Sequence, residues 1–151
     1  VNRTKSICVG LEPCVIPALG HSNFKIEDGT MEFGVGHHGE AGTKVEKLKS
    51  ASEMAQEMAE TILNDFDFEE GKEVAVMLSS LGATPVMELY VLYDEVEKVL
   101  AKAGHKVWKT YIGNYVTSLD MNGASLTIVD LDDEIKELLS EPAVPIGMKN
   151  Y

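Results

Sequence analysis

Basic residues, tryptophan and long apolar runs are all scarce in this chain of 151 residues. Its 13 Lys and Arg residues stand against 25 Asp and Glu residues, which gives a formal net charge of −12. Such a charge disfavours nucleic acid and anionic membrane surfaces as partners, because both are bound through clustered Lys and Arg. No apolar run approaches the roughly 20 residues that span a bilayer, and no signal-peptide pattern opens the chain. We therefore expect a cytoplasmic protein without a membrane segment.

Cysteine is equally scarce. Cys8 and Cys14 form neither a CxxC redox pair nor a disulfide framework, so we expect two buried free thiols. With 44% hydrophobic residues, a single domain of this length can bury a core without disulfides. The chain begins at Val1 rather than Met, and we expect a domain cut from a longer protein.

Strand-like and helical patterns alternate along the chain. A helix is predicted from a cap at Ser50 or Ser52 to about Asp65. A second helix ends at Gly104, and its buried stripe is predicted to consist of Leu89, Tyr93, Val96, Leu100 and Ala103. Met87 and Tyr90 on the same helix are also expected in the core. A short acidic helix is predicted to run from Asp132 to about Ser140. Strands are predicted over residues 6–10, 31–35, 73–78, 105–115 and 124–131. This order favours an α/β domain with a parallel or mixed sheet.

The best candidate site is the segment Gly34-Val-Gly-His-His-Gly-Glu-Ala-Gly42, in which four glycines surround two adjacent histidines. Glycines at this density let the backbone adopt positive φ and approach a ligand. An imidazole held there can serve as a general base, a metal ligand or a nitrogen nucleophile toward a carbonyl carbon. The alternative is a flexible loop that merely exposes its histidines.

Two other chemistries fit this loop poorly. His37, His38 and Glu40 are possible zinc ligands, and a catalytic zinc site needs three ligands that converge. Adjacent histidines instead point apart on an extended backbone. Neither a GxGxxG followed by a helix nor a GxxxxGK[ST] motif is present, so a phosphate-binding loop is not predicted.

Two further polar segments, residues 79–85 and 117–123, follow predicted strands, where α/β sheets place binding sites. Thr84 is expected to cap the second helix, with Pro85 at its first position. Asp120 is expected to form a turn, with a role as a base as the alternative.

Four segments, residues 8–17, 24–42, 81–90 and 117–121, resemble in order the substrate-binding subunit of dihydroxyacetone kinases. The resemblance covers nearly the whole chain but only the C-terminal half of that subunit, so it implies that residues 1–151 are its C-terminal domain without the N-terminal domain. It implies a two-layer α/β domain with a mixed sheet of about six strands packed on helices, and a homodimer for the full subunit.

The resemblance also implies a chemistry. The family histidine that attacks the ketone carbon of dihydroxyacetone, giving a covalent hemiaminal, matches His38, and Gly36, His37 and Gly39 fall beside it as substrate-binding positions. Glycerol has no carbonyl to add to, so covalent capture selects the ketone. The domain itself would need no cofactor, because ADP or ATP with Mg would sit on a nucleotide-binding partner subunit or domain.

Two alternatives to a kinase function remain. Paralogues of the same family bind dihydroxyacetone through this histidine and act as coactivators of a transcription regulator. A divergent module with a dead site is a third possibility. The family's general base lies in the absent half, so we expect no turnover by the isolated chain.

Overall fold

The computed structural model describes residues 2–22, 24–38, 40–66 and 71–148. In chain order the described elements are β1 Thr4–Glu12, β2 Thr30–Phe33, β3 Lys44–Lys47, α1 Ala51–Leu63, β4 Glu73–Ser80, α2 Val86–Lys102, β5 Lys106–Gly113, β6 Asn122–Asp130 and α3 Asp133–Ser140. None of these helices has the length and apolar character needed to cross a bilayer.

The six strands form one mixed sheet in the order β3-β2-β1-β6-β4-β5. Only β4 and β5 pair in parallel, and the other neighbours run antiparallel. A parallel pair needs a crossover between its strands, and α2 supplies it. The mixed sheet of six strands confirms the predicted fold class.

One layer of helices covers the sheet. α1 and α2 pack on each other, while α1 contacts β1 and β6 and α2 contacts β4 and β5. The core lies between the layers and includes Met58, Leu89 and Leu126, which are fully buried. Burying a side chain of this size stabilises the fold by about 1.5–3 kcal/mol.

The α1 boundary follows from local chemistry. Ser50 is the N-cap, its side chain accepts the Glu53 N–H, and the Glu53 carboxylate accepts the Ser50 N–H at 3.0 Å. This capping box satisfies two backbone donors that a helix start otherwise leaves unpaired. The start at Ala51 is therefore as predicted, and the helix ends at Leu63, two residues short of Asp65.

Three local expectations were wrong. Thr84 does not cap α2, because Pro85 is the N-cap and has no side-chain cap bond; the Thr84 hydroxyl bonds β6 instead. Met87 and Tyr90 are 76% and 58% exposed, since the buried stripe of α2 consists of Leu89, Leu92, Val96 and Leu100. The strand β3 was missed because it is a charged edge strand without alternation, a composition typical of sheet edges.

Candidate functional site

The glycine-rich segment is the connection between β2 and β3, and its base is closed by backbone bonds. Gly34 has φ +78° and its N–H donates to the Cys8 carbonyl oxygen at 2.7 Å. The Thr43 N–H donates to the Phe33 carbonyl oxygen at 2.8 Å. A Cβ at Gly42 would lie 2.5 Å from that same Phe33 oxygen. Two of the glycines are thus required by geometry at the neck of the loop.

The tip of the loop is a turn built around Glu40. The Gly36 N–H donates to the Glu40 carbonyl oxygen at 3.0 Å, and the His38 N–H donates to Glu40 Oε2 at 2.9 Å. The other carboxylate oxygen, Oε1, lies 3.3 Å from His38 Nδ1. Hydrogen bonds from the backbone of Glu40 itself and of His38 hold the pKa of the Glu40 carboxyl below its usual value.

The two adjacent histidines face different surroundings. The His38 side chain is 89% exposed. The half-buried His37 has its Nδ1 3.9 Å from Cys8 Sγ, and its buried Nε2 has no partner among the described residues. Within residues 2–22, 24–38, 40–66 and 71–148, no three His, Cys, Asp or Glu side chains are grouped as a metal site requires.

Both cysteines are buried free thiols, as predicted. Burial raises the pKa of the Cys8 thiol, and a hydrogen bond with Ser125 only partly opposes that shift. Cys8 is therefore a neutral thiol at pH 7 rather than a thiolate nucleophile.

A cavity of about 330 Å³ opens beside the histidines, where β1 and β5 end and β6 begins. Its walls are Cys14, Ile16, Phe24, His37, His38, Thr117, Ser118 and Leu119. Leu119 has φ +52°, which is uncommon for a residue with a Cβ. Gly82 packs closely against this wall, since a Cβ there would lie 1.9 Å from the Leu119 carbonyl oxygen.

The predicted segment 79–85 supports the cavity from behind and does not line it. Ser79 lies at the end of β4, where its Oγ accepts the N–H groups of Tyr115 and Val116, each at 3.0 Å. The buried Thr84 Oγ1 accepts the Gly123 N–H at 2.8 Å. Ser79 thus holds the backbone just before the 117–121 segment, and Thr84 holds the backbone just after it.

Two hydrogen bonds that join the segments around the cavity were not predicted from the sequence. The Asp120 carboxylate accepts the Val15 N–H at 2.7 Å, which joins two walls of the cavity. Ser118 Oγ donates to the His37 carbonyl oxygen at 2.8 Å. Their partners lie 105 and 81 residues away in the chain, and no local sequence signal reports contacts of that range.

The structure brings the predicted site residues together in part. His37 and His38 line the cavity, and Gly36 lies in the same turn. Gly39 lies outside the described residues.

Comparison with protein families matches residues 1–146 to the Dak1 domain. The chain belongs to the Dak1 domain family. This Dak1 domain is 42% identical over 134 residues to the dihydroxyacetone-binding subunit of a PTS-dependent dihydroxyacetone kinase from Listeria innocua. It is 36% identical over 140 residues to a D-erythrulose kinase from Mycolicibacterium smegmatis. The matches cover 89% and 93% of this chain, but 41% and 24% of those proteins.

Solved structures give the same fold. A dihydroxyacetone kinase operon co-activator matches with a TM-score of 0.86 and 29% identity over 93% of this Dak1 domain and 44% of that chain. The dihydroxyacetone kinase of C. freundii matches with a TM-score of 0.78 and 26% identity, over 93% of the domain and 25% of that chain. The family resemblance found in the sequence is thereby confirmed, and both a kinase and a co-activator carry this fold.

Proposed function

We propose that this Dak1 domain captures dihydroxyacetone covalently through His38 and so presents it for phosphorylation. The observation that carries the proposal is an exposed imidazole, held in a hydrogen-bonded turn at the mouth of a cavity. The relatives named as dihydroxyacetone-binding subunits support the choice of ligand. Exposure favours His38 over His37, whose Nε2 is buried.

The chemistry is a simple addition. The Nε2 lone pair of neutral His38 forms a bond to the carbonyl carbon, the C=O π bond breaks, and the carbonyl oxygen takes a proton from water. Loss of the Nδ1 proton to solvent then leaves a neutral hemiaminal, with no water released. A polyol such as glycerol lacks the electrophilic carbon, so the same site cannot capture it.

The phosphate must come from elsewhere. Phosphoryl transfer needs cationic groups around the transferred phosphate, and the described residues that line this cavity include no Lys or Arg. We therefore assign the nucleotide, ADP or ATP with Mg, to a partner subunit or another domain. Covalent fixation would orient the substrate hydroxyl for in-line transfer, and we expect the full-length subunit to act as a homodimer.

The test uses dihydroxyacetone labelled with ¹³C at its carbonyl carbon, followed by NMR at millimolar concentration with the 151-residue chain. We expect the ketone signal to be joined by a signal of a tetrahedral carbon bonded to oxygen and nitrogen. That signal should vanish in His38→Ala and persist in the matched control His37→Ala. A wild-type protein without the signal, or a signal that survives in His38→Ala, would overturn the proposal.

A second function, a dihydroxyacetone-sensing coactivator, is favoured by the similarity to the operon co-activator. Both functions use the same adduct, so the discriminating step is transfer. Phosphorylated product formed by the full-length subunit with a nucleotide-binding kinase subunit and ATP, or with phosphotransferase-system components, would support the kinase. An adduct that forms without any transfer under those conditions would support the sensor.

A further inference from the structure

Glu40 makes two contacts with His38 that together fix the ring. We propose that Glu40 is a positioning residue that holds His38 in the tautomer with the proton on Nδ1, leaving Nε2 as the nucleophile. This inference rests on the proposed function for its catalytic consequence, although the tautomer itself is measurable without any ligand.

The assignment follows from donor and acceptor counting. An ionised carboxylate only accepts hydrogen bonds, so its Oε1, which lies 3.3 Å from His38 Nδ1, favours a proton on that nitrogen. A neutral imidazole with its proton on Nδ1 carries its free lone pair on Nε2. The lowered pKa of Glu40 keeps the carboxylate ionised at neutral pH, which is the condition for this arrangement.

The carboxylate is built into the turn rather than merely near the ring. Its Oε2 accepts the His38 N–H at 2.9 Å while Oε1 faces Nδ1, so one side chain orients both the backbone and the ring of His38. A Cβ at Gly36 would lie 2.2 Å from Oε2 and 2.7 Å from the Glu40 Cβ. The glycine therefore provides the space that the carboxylate occupies.

This geometry has a direct consequence for the addition step. As Nε2 bonds to the carbonyl carbon, positive charge develops on the ring, and the adjacent carboxylate stabilises it. Because the pair is exposed to solvent, we expect the loss of Glu40 to slow adduct formation by about 2- to 5-fold.

The experiment combines two readouts on the 151-residue chain. Ring ¹⁵N NMR of His38 reports the tautomer without ligand, and mixing with carbonyl-labelled dihydroxyacetone reports the rate of adduct formation. The variants are Glu40→Ala, which removes both contacts, and Glu40→Gln, which keeps the shape but not the charge. Gly36→Ala tests the same contact from the other side, and Glu137→Ala, an exposed position on α3, is the control.

We expect the Nδ1–H tautomer in the wild type and in Glu137→Ala, and a shift toward Nε2–H with slower addition in Glu40→Ala and Gly36→Ala. Glu40→Gln should preserve the tautomer but not the full rate. A wild type that forms the adduct, with neither tautomer nor rate changed in Glu40→Ala, would overturn the inference. Absence of any adduct in the wild type would instead refute the proposed function, and the ¹⁵N signals would still decide the role of Glu40.

Discussion

Ser118 is joined to His37 by a hydrogen bond from its Oγ to the His37 carbonyl oxygen at 2.8 Å. Ser118 is itself buried, and its N–H donates to the Leu81 carbonyl oxygen at 2.7 Å. The peptide that precedes His38 is thereby anchored to the strand-end segments on the opposite wall of the cavity. The position of the candidate nucleophile thus depends on a residue far from it in sequence.

Replacing Ser118 by Ala removes this anchor. We expect the free energy of unfolding to fall by about 1 kcal/mol, the usual contribution of one hydrogen bond. We also expect weaker capture of dihydroxyacetone, because the loop gains freedom. Urea unfolding and ¹³C NMR titration measure the two effects. Ser140→Ala, which removes an exposed hydroxyl bond on α3, should leave capture unchanged; equal capture by both variants would contradict this role of Ser118.

Gly82 is predicted to tolerate no side chain. Its φ is +135°, and a Cβ would lie 1.9 Å from the Leu119 carbonyl oxygen, on the cavity wall. Gly82→Ala should therefore lower the free energy of unfolding by about 1–3 kcal/mol through overpacking, in addition to the effect of backbone strain. The control is Gly20→Ala, at φ +69° with no atom within 4 Å of the added Cβ. It should lower the free energy of unfolding only by the backbone strain, about 1–2 kcal/mol. Thermal unfolding compares them, and equal losses would show that the contact with Leu119 is unimportant.

The Ser50 cap offers a test of the fold that is independent of the cavity. Ser50→Ala removes the side-chain acceptor of the capping box and should destabilise the protein by about 1 kcal/mol. Ser52→Ala, inside the first turn of α1, is the matched control and should change stability by less than about 0.5 kcal/mol. Urea unfolding measures both variants. A loss in Ser52→Ala as large as that in Ser50→Ala would contradict the assigned N-cap.

Glu73 links stability to acid pH. Hydrogen bonds from Lys136, at 2.5 Å, and from Lys106 hold the pKa of the Glu73 carboxyl below its usual 4.5. The folded state therefore binds this proton less readily than the unfolded state, so the contribution of Glu73 is present above pH 4.5 and is lost as pH falls below it. In Glu73→Gln, the urea midpoint should vary less between neutral and acid pH than in the wild type or in Glu137→Gln. An unchanged acid dependence would contradict the prediction.

The sequence predicts those parts of the molecule that local patterns encode. The start of α1 after a capping serine, the buried stripe of α2 that begins at Leu89, and the glycine-rich histidine loop all follow from patterns within a few residues. The edge strand β3 and the exposed Tyr90 were misjudged, because edge position and the rotation of a helix on its sheet are set by tertiary packing.

In the cavity, too, some features follow from local sequence and others depend on tertiary packing. Local composition identifies His37 and His38 as candidates, and it also places polar residues in the 117–121 segment. It does not reveal that the side chains of Ser118 and Asp120 form hydrogen bonds with the backbone of distant segments. Nor does it reveal that one histidine is turned inward against Cys8 while the other remains exposed. These contacts join segments that are distant in the sequence and come together only in the folded chain.

The most direct test of the central claim is a high-resolution crystal structure of the protein soaked with dihydroxyacetone. We predict continuous density from His38 Nε2 to a tetrahedral carbon. A planar ketone held without a bond, or a bond to His37 in place of His38, would contradict the account.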